Sequence, residues 1–106
     1  MARSSTKSVA GKKKEELSDE QFLAISRAIA DPRRFAILQQ VAAYHAGPLA
    51  CSHLQEHNVI SPATISHHIK ELAEAGLIHI EREGRSGSLI LHRPVWNAYL
   101  KRLSSL

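Results

Sequence analysis

The chain has 106 residues, of which 43% are hydrophobic and 23% are charged. These values are ordinary for a globular protein and suffice for one core, so they exclude wholesale disorder and argue against two domains. The formal net charge of +4 and the sequence pI of about 9.6 favour an anionic partner, either nucleic acid or a membrane surface.

Two sequence features bear on location. No apolar run approaches the roughly 20 residues of a membrane-spanning helix, and the N-terminus lacks the apolar core of a secretion signal. We therefore expect a cytoplasmic protein without a membrane partner. Cys51 is the only cysteine, which excludes an internal disulfide and a zinc site built from several thiolates of one chain.

The first segment, residues 1–16, is rich in Ser, Gly and Lys and has almost nothing to bury. We predict a basic tail that is disordered when free, serving either as a solubilising leader or as an arm that contacts phosphates. Residues 17–106 constitute the predicted domain.

Three helices are predicted next. Ser18 followed by Gln21 is a capping box, and apolar residues at helical spacing indicate a helix over about 18–29. Asp31-Pro32 starts the second helix, which ends before Gly47. Its predicted buried side comprises Phe35, Ile37, Leu38, Val41 and Tyr44. A short third helix is predicted over about 50–57, with Leu54 facing inward.

The stretch SPATISHHIKELAEAG predicts a fourth helix over 61–75. Ser61-Pro62 repeats the combination of a cap and a proline, and Gly76 ends the helix in a left-handed conformation. Its apolar stripe is thin and consists of Ile65, Ile69, Leu72 and Ala73.

Residues 77–93 predict a β-hairpin around a four-residue turn, GRSG, and a last helix begins at Pro94. We expect Glu83 to pair with Ser88. That register places Ile80 opposite Leu91, Arg82 opposite Leu89, and His79 opposite His92.

The resulting order, α-α-α-α-β-β-α, is mainly α with a small antiparallel β-hairpin and predicts a winged helix-turn-helix. Such a fold packs the thin stripe of its recognition helix, here residues 61–75, on the domain and leaves the other face free to enter the major groove. Hairpin 77–93 is the predicted wing. The expected DNA-binding residues are Ser61, Pro62, Ala63, Thr64, Ser66, His67, Lys70 and Arg85.

These residue types suit different parts of DNA. Hydroxyl and imidazole groups can bond base edges, the Ala63 methyl can touch a thymine methyl, and Lys70 is placed for phosphate. Thr64 could instead hold the helix cap, and His68 is expected to pack or cap. Arg85 is either a wing contact in the minor groove or on phosphate, or a solvated charge.

Three segments carry a family resemblance. IADPRRFAILQQV, SPATISHHIKELAEAGLI and EREGR are similar to the ArsR/SmtB family of dimeric winged-helix transcriptional repressors, over about residues 18–103. The resemblance implies a sequence-specific repressor that binds double-stranded DNA at an inverted repeat, with a possible small-molecule effector. It also implies a homodimer formed by the first and last helices.

Apolar residues at both ends of the domain independently suit a dimer interface. They are Phe22, Ile25, Trp96, Tyr99 and Leu103. Trp96 and Tyr99 could alternatively line a ligand pocket.

The metal sites common in this family are missing. Its Cys-Val-Cys-Asp-Leu run corresponds here to Ala-Cys-Ser-His-Leu at 50–54, and residues 94–106 contain no His, Asp or Glu. We therefore expect no metal cofactor. Two arrangements stay open: His53 and His57 at helical spacing, joined by Cys51 or His45 in a metal- or redox-responsive repressor, and His79 paired with His92.

Arg33 and Arg34 lie in the first turn of the second helix, where the helix dipole disfavours cations. We expect a phosphate or a carboxylate such as Glu71 or Glu74 to compensate.

DNA binding has two rival classes of function. No phosphate-binding loop or nucleophile motif is present, so the sequence does not predict an enzyme. The remaining alternative is a winged-helix module that binds another protein and not DNA.

Overall fold

The computed structural model describes residues 16–44, 47–56, 60–84 and 86–106. Its elements are α1 (Asp19–Ala28), α2 (Pro32–Ala43), β1 (Leu49–Ala50), α3 (Cys51–Glu56), α4 (Pro62–Glu74), β2 (Ile78–Glu83), β3 (Ser86–Leu91) and α5 (Arg93–Ser104). The predicted winged helix-turn-helix is confirmed, with one additional strand, β1. Most of the predicted tail, together with His45, His57 and Arg85, lies outside the described residues.

Helices α1 and α2 begin where the sequence places their caps. The Ser18 hydroxyl accepts a hydrogen bond from the Gln21 amide at 3.0 Å. Asp31 Oδ1 accepts from the amides of Arg33 and Arg34 at 2.9 and 3.0 Å. Both caps satisfy amides that would otherwise lack a partner in the first helical turn. Within the described part of the chain, no helix has the length and apolar character that a membrane crossing requires.

One hydrophobic core joins the helices and the sheet. Its largest fully buried side chains are Ile25, Ile37, Leu49, Leu54, Ile65, Leu72, Leu77 and Leu89. Leu54 therefore faces inward as predicted. The prediction was wrong for Phe35 and Tyr44, which are 36% and 40% exposed. Phe35 precedes Ile37 by two residues, about 200° around a helix, so it points away from the core. Tyr44 follows the last helical residue and has an extended backbone.

The sheet has the order β1-β3-β2 and is antiparallel. Glu83 pairs with Ser86, which leaves a two-residue turn, so the predicted pairing with Ser88 was wrong by two residues. Gly84 has φ 60°, and two-residue turns use positive φ because their twist matches that of the strands.

The corrected register changes each predicted pair in the hairpin. Ile80 lies opposite Leu89, Arg82 opposite Gly87, and His79 opposite Ile90.

Strand β1 was not predicted. It consists of two residues, Leu49 and Ala50, which pair with Leu89 and Ser88 of β3. Because α3 starts at the next residue, β1 joins the first helix of the helix-turn-helix directly to the wing.

Helices α1 and α5 are held together by side chains from both. The Tyr99 hydroxyl lies 2.9 Å from the Ser26 hydroxyl, and the rings of Tyr99 and Phe22 are 5.1 Å apart between centroids. Arg102 lies 4.3 Å above the Phe22 ring and forms an ion pair with Asp19. These contacts bring the N- and C-terminal helices of the domain together.

Candidate nucleic-acid interface

Helix α4 has a defined start and a defined end. The Ser61 hydroxyl accepts from the Thr64 amide at 3.2 Å, and Pro62 occupies the first helical position. At the other end, the Leu77 amide donates to the Leu72 carbonyl and the Gly76 amide donates to the Ala73 carbonyl, each at 3.0 Å. With Gly76 at φ 85°, this is a Schellman motif. The helix is therefore fixed at both ends.

The two sides of α4 differ in burial and chemistry. The buried side consists of Ile65, His68, Ile69 and Leu72. The exposed residues that we predicted to face DNA are Ser61, Pro62, Ala63, Ser66, His67 and Lys70. The exposed row offers a hydroxyl, an imidazole, a methyl and an ammonium group within two turns, a set able to contact both base edges and phosphates.

Thr64 occupies a position between these two sides. It is half-buried, and its hydroxyl lies 2.9 Å from the Ser61 hydroxyl. Its local partner therefore matches the capping role considered from the sequence, and less of its side chain is free for a ligand.

His68 is the buried polar residue of the described core, with 6% of its surface exposed. Its Nδ1 lies 3.4 Å from Nη1 of Arg34. Because a guanidinium can only donate, Nδ1 must be the acceptor in this contact, which places the proton of a neutral ring on Nε2. The predicted packing role is confirmed, and His68 also links the recognition helix to α2.

Arg34 has different partners from those expected. Its Nε donates to the Ala28 carbonyl at 2.7 Å, near the end of α1, while its Nη1 donates to His68. The side-chain partners of Arg34 are thus a carbonyl and an imidazole. The carboxylate next to the two arginines is Asp31 and not Glu71 or Glu74, and a phosphate partner stays a prediction.

Asp31 supplies the negative charge at the start of α2. Hydrogen bonds from the Arg34 amide first, and then from the Arg33 amide, hold the pKa of Asp31 below its ordinary value, with His68 and Arg34 adding charge attraction. The carboxylate thus offsets the unfavourable placement of two arginines at a helix N-terminus.

Burial gives the domain a pH dependence. Desolvation lowers the pKa of His68, as do the nearby Arg34, His67 and Arg33, whereas Asp31 opposes the shift. Below the ordinary value of 6.5, the unfolded chain binds a proton at this position more readily than the folded chain does. We expect the free energy of unfolding to fall as pH drops from 6.5 towards the lowered pKa.

Urea unfolding at several pH values measures this effect. His68→Gln, which cannot ionise, should make the dependence shallower, whereas His53→Gln, which replaces an exposed histidine that is not among the groups acting on His68, should leave it nearly unchanged. Equal slopes in the wild type and His68→Gln would contradict the assignment.

Cys51 bears on the redox alternative. The free thiol is half-buried beside β3, where a Cβ added at Gly87 would lie 3.2 Å from its sulfur. Burial raises the pKa of the Cys51 thiol, and the charge of Arg82 opposes this only in part. Since the thiolate is the reactive form, this environment does not favour redox sensing.

The sequence also offered a metal site on α3. His53 is exposed, with its ring 6.2 Å from that of Tyr44, and its suggested partners His57 and His45 lie outside the described residues. Among the residues that the structure describes, no three His, Cys, Asp or Glu side chains form a group that could hold a metal ion.

The predicted dimer residues divide into two sets. Ile25 is fully buried and Tyr99 is 3% exposed, so both belong to the core of their own subunit. Trp96 and Phe22 are half-buried, and Leu103 is 39% exposed. Two residues that were not among the predicted interface residues, Leu23 and Leu100, are 51% and 44% exposed on the same two helices.

Comparison with known proteins gives matches in sequence and structure. A family model described as a helix-turn-helix domain matches residues 29–81. A protein of Bacillus subtilis (strain 168), named as the uncharacterized HTH-type transcriptional regulator YceK, is 34% identical over 85 residues, covering 78% of this chain and 83% of its own.

Solved structures share the fold. The crystal structure of an ArsR family transcriptional regulator is 26% identical with a TM-score of 0.71, covering 80% of this chain and 90% of the other. The solution structure of a homodimeric winged helix-turn-helix DNA-binding domain from Mycobacterium bovis is 23% identical with a TM-score of 0.65, covering 92% and 90%. From the matched sequence and this architecture, the chain belongs to the helix-turn-helix transcriptional regulators and is a DNA-binding member of the ArsR type.

Proposed function

We propose that the protein is a homodimeric transcriptional repressor that recognises an inverted-repeat operator. Helix α4 enters the major groove, and the hairpin of β2 and β3 flanks it as a wing. The observation that carries this proposal is the exposed polar row on α4, which includes Ser66 and His67, opposite a stripe that is buried in the domain. A helix anchored along one side and polar along the other is what major-groove reading requires.

Roles within the interface follow from chemistry and position. His67 and Ser66 would contact base edges, Ala63 would meet a thymine methyl, and Lys70 would neutralise a phosphate. Arg85, at the predicted tip of the wing, is proposed to contact the minor groove or the backbone.

Dimerisation is supported by the apolar surface of α1 and α5. Leu23, Leu100 and Leu103 are exposed, while Trp96 and Phe22 are half-buried nearby in the sequence. The relative from Mycobacterium bovis is described as homodimeric. A two-fold axis through such an interface would present two copies of α4 to grooves about one DNA turn apart, so the proposed operator is an inverted repeat.

Repression would follow from occupancy of a promoter, since a bound dimer excludes polymerase. A small-molecule effector would release DNA if it bound more tightly to a dimer whose two α4 helices had the wrong separation. We place this activity in the cytoplasm, and we propose that no catalysis is involved.

Selection of bound fragments from genomic DNA by the purified protein tests the proposal. Recovered sites should share a motif with two-fold symmetry. Recovery of no enriched motif, or of asymmetric sites bound by monomers, would contradict it.

His67→Ala should relax operator preference. Removal of a base contact is expected to reduce discrimination at one position of each half-site by about 1–3 kcal/mol. Because His67 is exposed, the free energy of unfolding should change by less than about 0.5 kcal/mol. Binding measured against a set of single-base operator variants separates the two effects.

The matched comparison is Lys70→Ala, which should weaken binding to all sequences about equally. If His67→Ala retained the full preference at every operator position, the proposed reading face would be wrong.

A further inference from the structure

Two histidines on the outer face of the wing lie close together and have no part in the proposed DNA contacts. The centroids of the His79 and His92 rings are 4.4 Å apart, and the ring planes are inclined by 44°. His79 is exposed and His92 is half-buried. Both are therefore open to a small ligand from solvent.

The separation of the rings fits a shared ligand. A metal–nitrogen bond of about 2.0–2.1 Å places an imidazole centroid roughly 3.2 Å from the ion. Two such rings at about 90° across the ion have centroids about 4.5 Å apart, close to the observed separation. Forming the site would require side-chain rotations that aim one nitrogen of each ring at a common point.

The backbone holds the two residues in place. His79 is paired with Ile90 in the sheet, and the His92 amide donates to the Leu77 carbonyl at 2.8 Å. A site whose ligands are already positioned loses less entropy on binding.

The charges around the pair do not prevent a cation from binding. Glu81 is exposed and, two residues from His79 along β2, shares its face of the sheet. Arg93 follows His92, but its guanidinium donates to the Ala42 carbonyl at 3.0 Å. This hydrogen bond attaches the Arg93 guanidinium to α2.

We propose that His79 and His92 form a two-histidine site for a divalent transition-metal ion, completed by water. Two cis nitrogens with open positions suit tetragonal Cu²⁺ or Ni²⁺ better than the closed tetrahedral sites typical of structural Zn²⁺. By the general order of affinities, Cu²⁺ should bind most tightly. The ion would connect strand β2 of the wing to the residue that precedes α5.

Titration of the untagged full chain with CuCl₂, NiCl₂ and ZnCl₂, followed by calorimetry, tests the site. His79→Ala and His92→Ala should each lower Cu²⁺ affinity at least about tenfold, because the second ligand of a chelate acts at high effective concentration. His53→Ala and His67→Ala, which remove exposed histidines elsewhere, should leave the affinity of this site unchanged.

Electron paramagnetic resonance of the Cu²⁺ complex gives a second readout. The wild type should show coupling to two imidazole nitrogens, and each single variant to one. His79→Phe preserves an aromatic ring next to His92 and should lower Cu²⁺ affinity as much as His79→Ala does, while keeping the fold by circular dichroism. Wild-type Cu²⁺ affinity in both His79→Ala and His92→Ala would overturn the proposal. The test uses no DNA, so its outcome is independent of the proposed repressor function.

Discussion

Operator affinity should fall about 10³–10⁵-fold when the salt concentration rises from about 50 to 200 mM, provided that the dimer contacts about 6–10 phosphates. The physical reason is that each neutralised phosphate releases condensed counterions, and added salt opposes their release. The net charge of +4 and the exposed Lys70 on α4 are the sequence and structural basis for this expectation. Fluorescence anisotropy with a labelled operator measures the slope of log affinity against log salt.

Single variants locate the phosphate contacts. Lys70→Ala should reduce the magnitude of the slope by about 1 for each phosphate that the lysine neutralises, whereas Ser66→Ala on the same exposed row should leave it unchanged. A slope near zero would favour the alternative winged-helix module that binds protein, since such an interface exchanges few counterions.

Leu72→Ala should lower the free energy of unfolding by about 2–5 kcal/mol. Leu72 is completely buried on the inner side of α4, and its carbonyl accepts the Leu77 amide in the motif that ends the helix. Truncation leaves a cavity where the recognition helix meets the core. Because small domains are stable by only about 5–15 kcal/mol, this loss is a large fraction of the total. Urea unfolding followed by circular dichroism measures the change.

Lys70→Ala is the matched control, since it truncates an exposed residue two positions away and should change stability by less than about 0.5 kcal/mol. Equal stabilities of Leu72→Ala and Lys70→Ala would mean that α4 is not anchored through this stripe. At temperatures between the unfolding midpoints of Leu72→Ala and the wild type, only the variant should lose operator binding, because only the variant is unfolded there.

The helices were predictable from local signals, but the hairpin register was not. The expected Glu83–Ser88 pairing and the observed Glu83–Ser86 pairing differ by two residues. A slip of two keeps every side chain on its original face, so the hydrophobic pattern cannot distinguish the two registers. Only the turn could have decided, and its sequence Gly-Arg-Ser-Gly suits a four-residue loop as well as the observed two-residue turn with positive φ at Gly84.

The predicted proximity of His79 and His92 is correct, although the strand register from which it was predicted was wrong. His79 lies opposite Ile90 rather than His92, yet the two histidine rings remain close because they lie diagonally on one face.

Contacts between residues far apart in the chain could not be predicted from the sequence. Strand β1 has two residues, too few for any alternation to be seen. The contact of Arg34 with His68 joins residues 34 positions apart, and charge considerations favoured a carboxylate instead. In the candidate site, the exposed row on α4 follows directly from the position of its apolar stripe, so it could be predicted from the sequence.

The apolar residues at the two ends of the domain were more ambiguous. Helical spacing identified Ile25 and Tyr99 as apolar positions, but both a subunit core and a subunit interface select such residues. Only the packing of α1 on α5 separates the buried Tyr99 from the exposed Leu103.

Strand β1 limits which segment of this domain can be transferred to a related protein. Residues 49–50 are hydrogen-bonded to β3, so a graft that transferred only residues 51–74 into a related scaffold would leave behind the pairing that aligns its first helix. A chimaera with a new DNA preference should therefore carry β1 and β3 along with α3 and α4. The smallest transferable unit is thus larger than the two helices after which the motif is named.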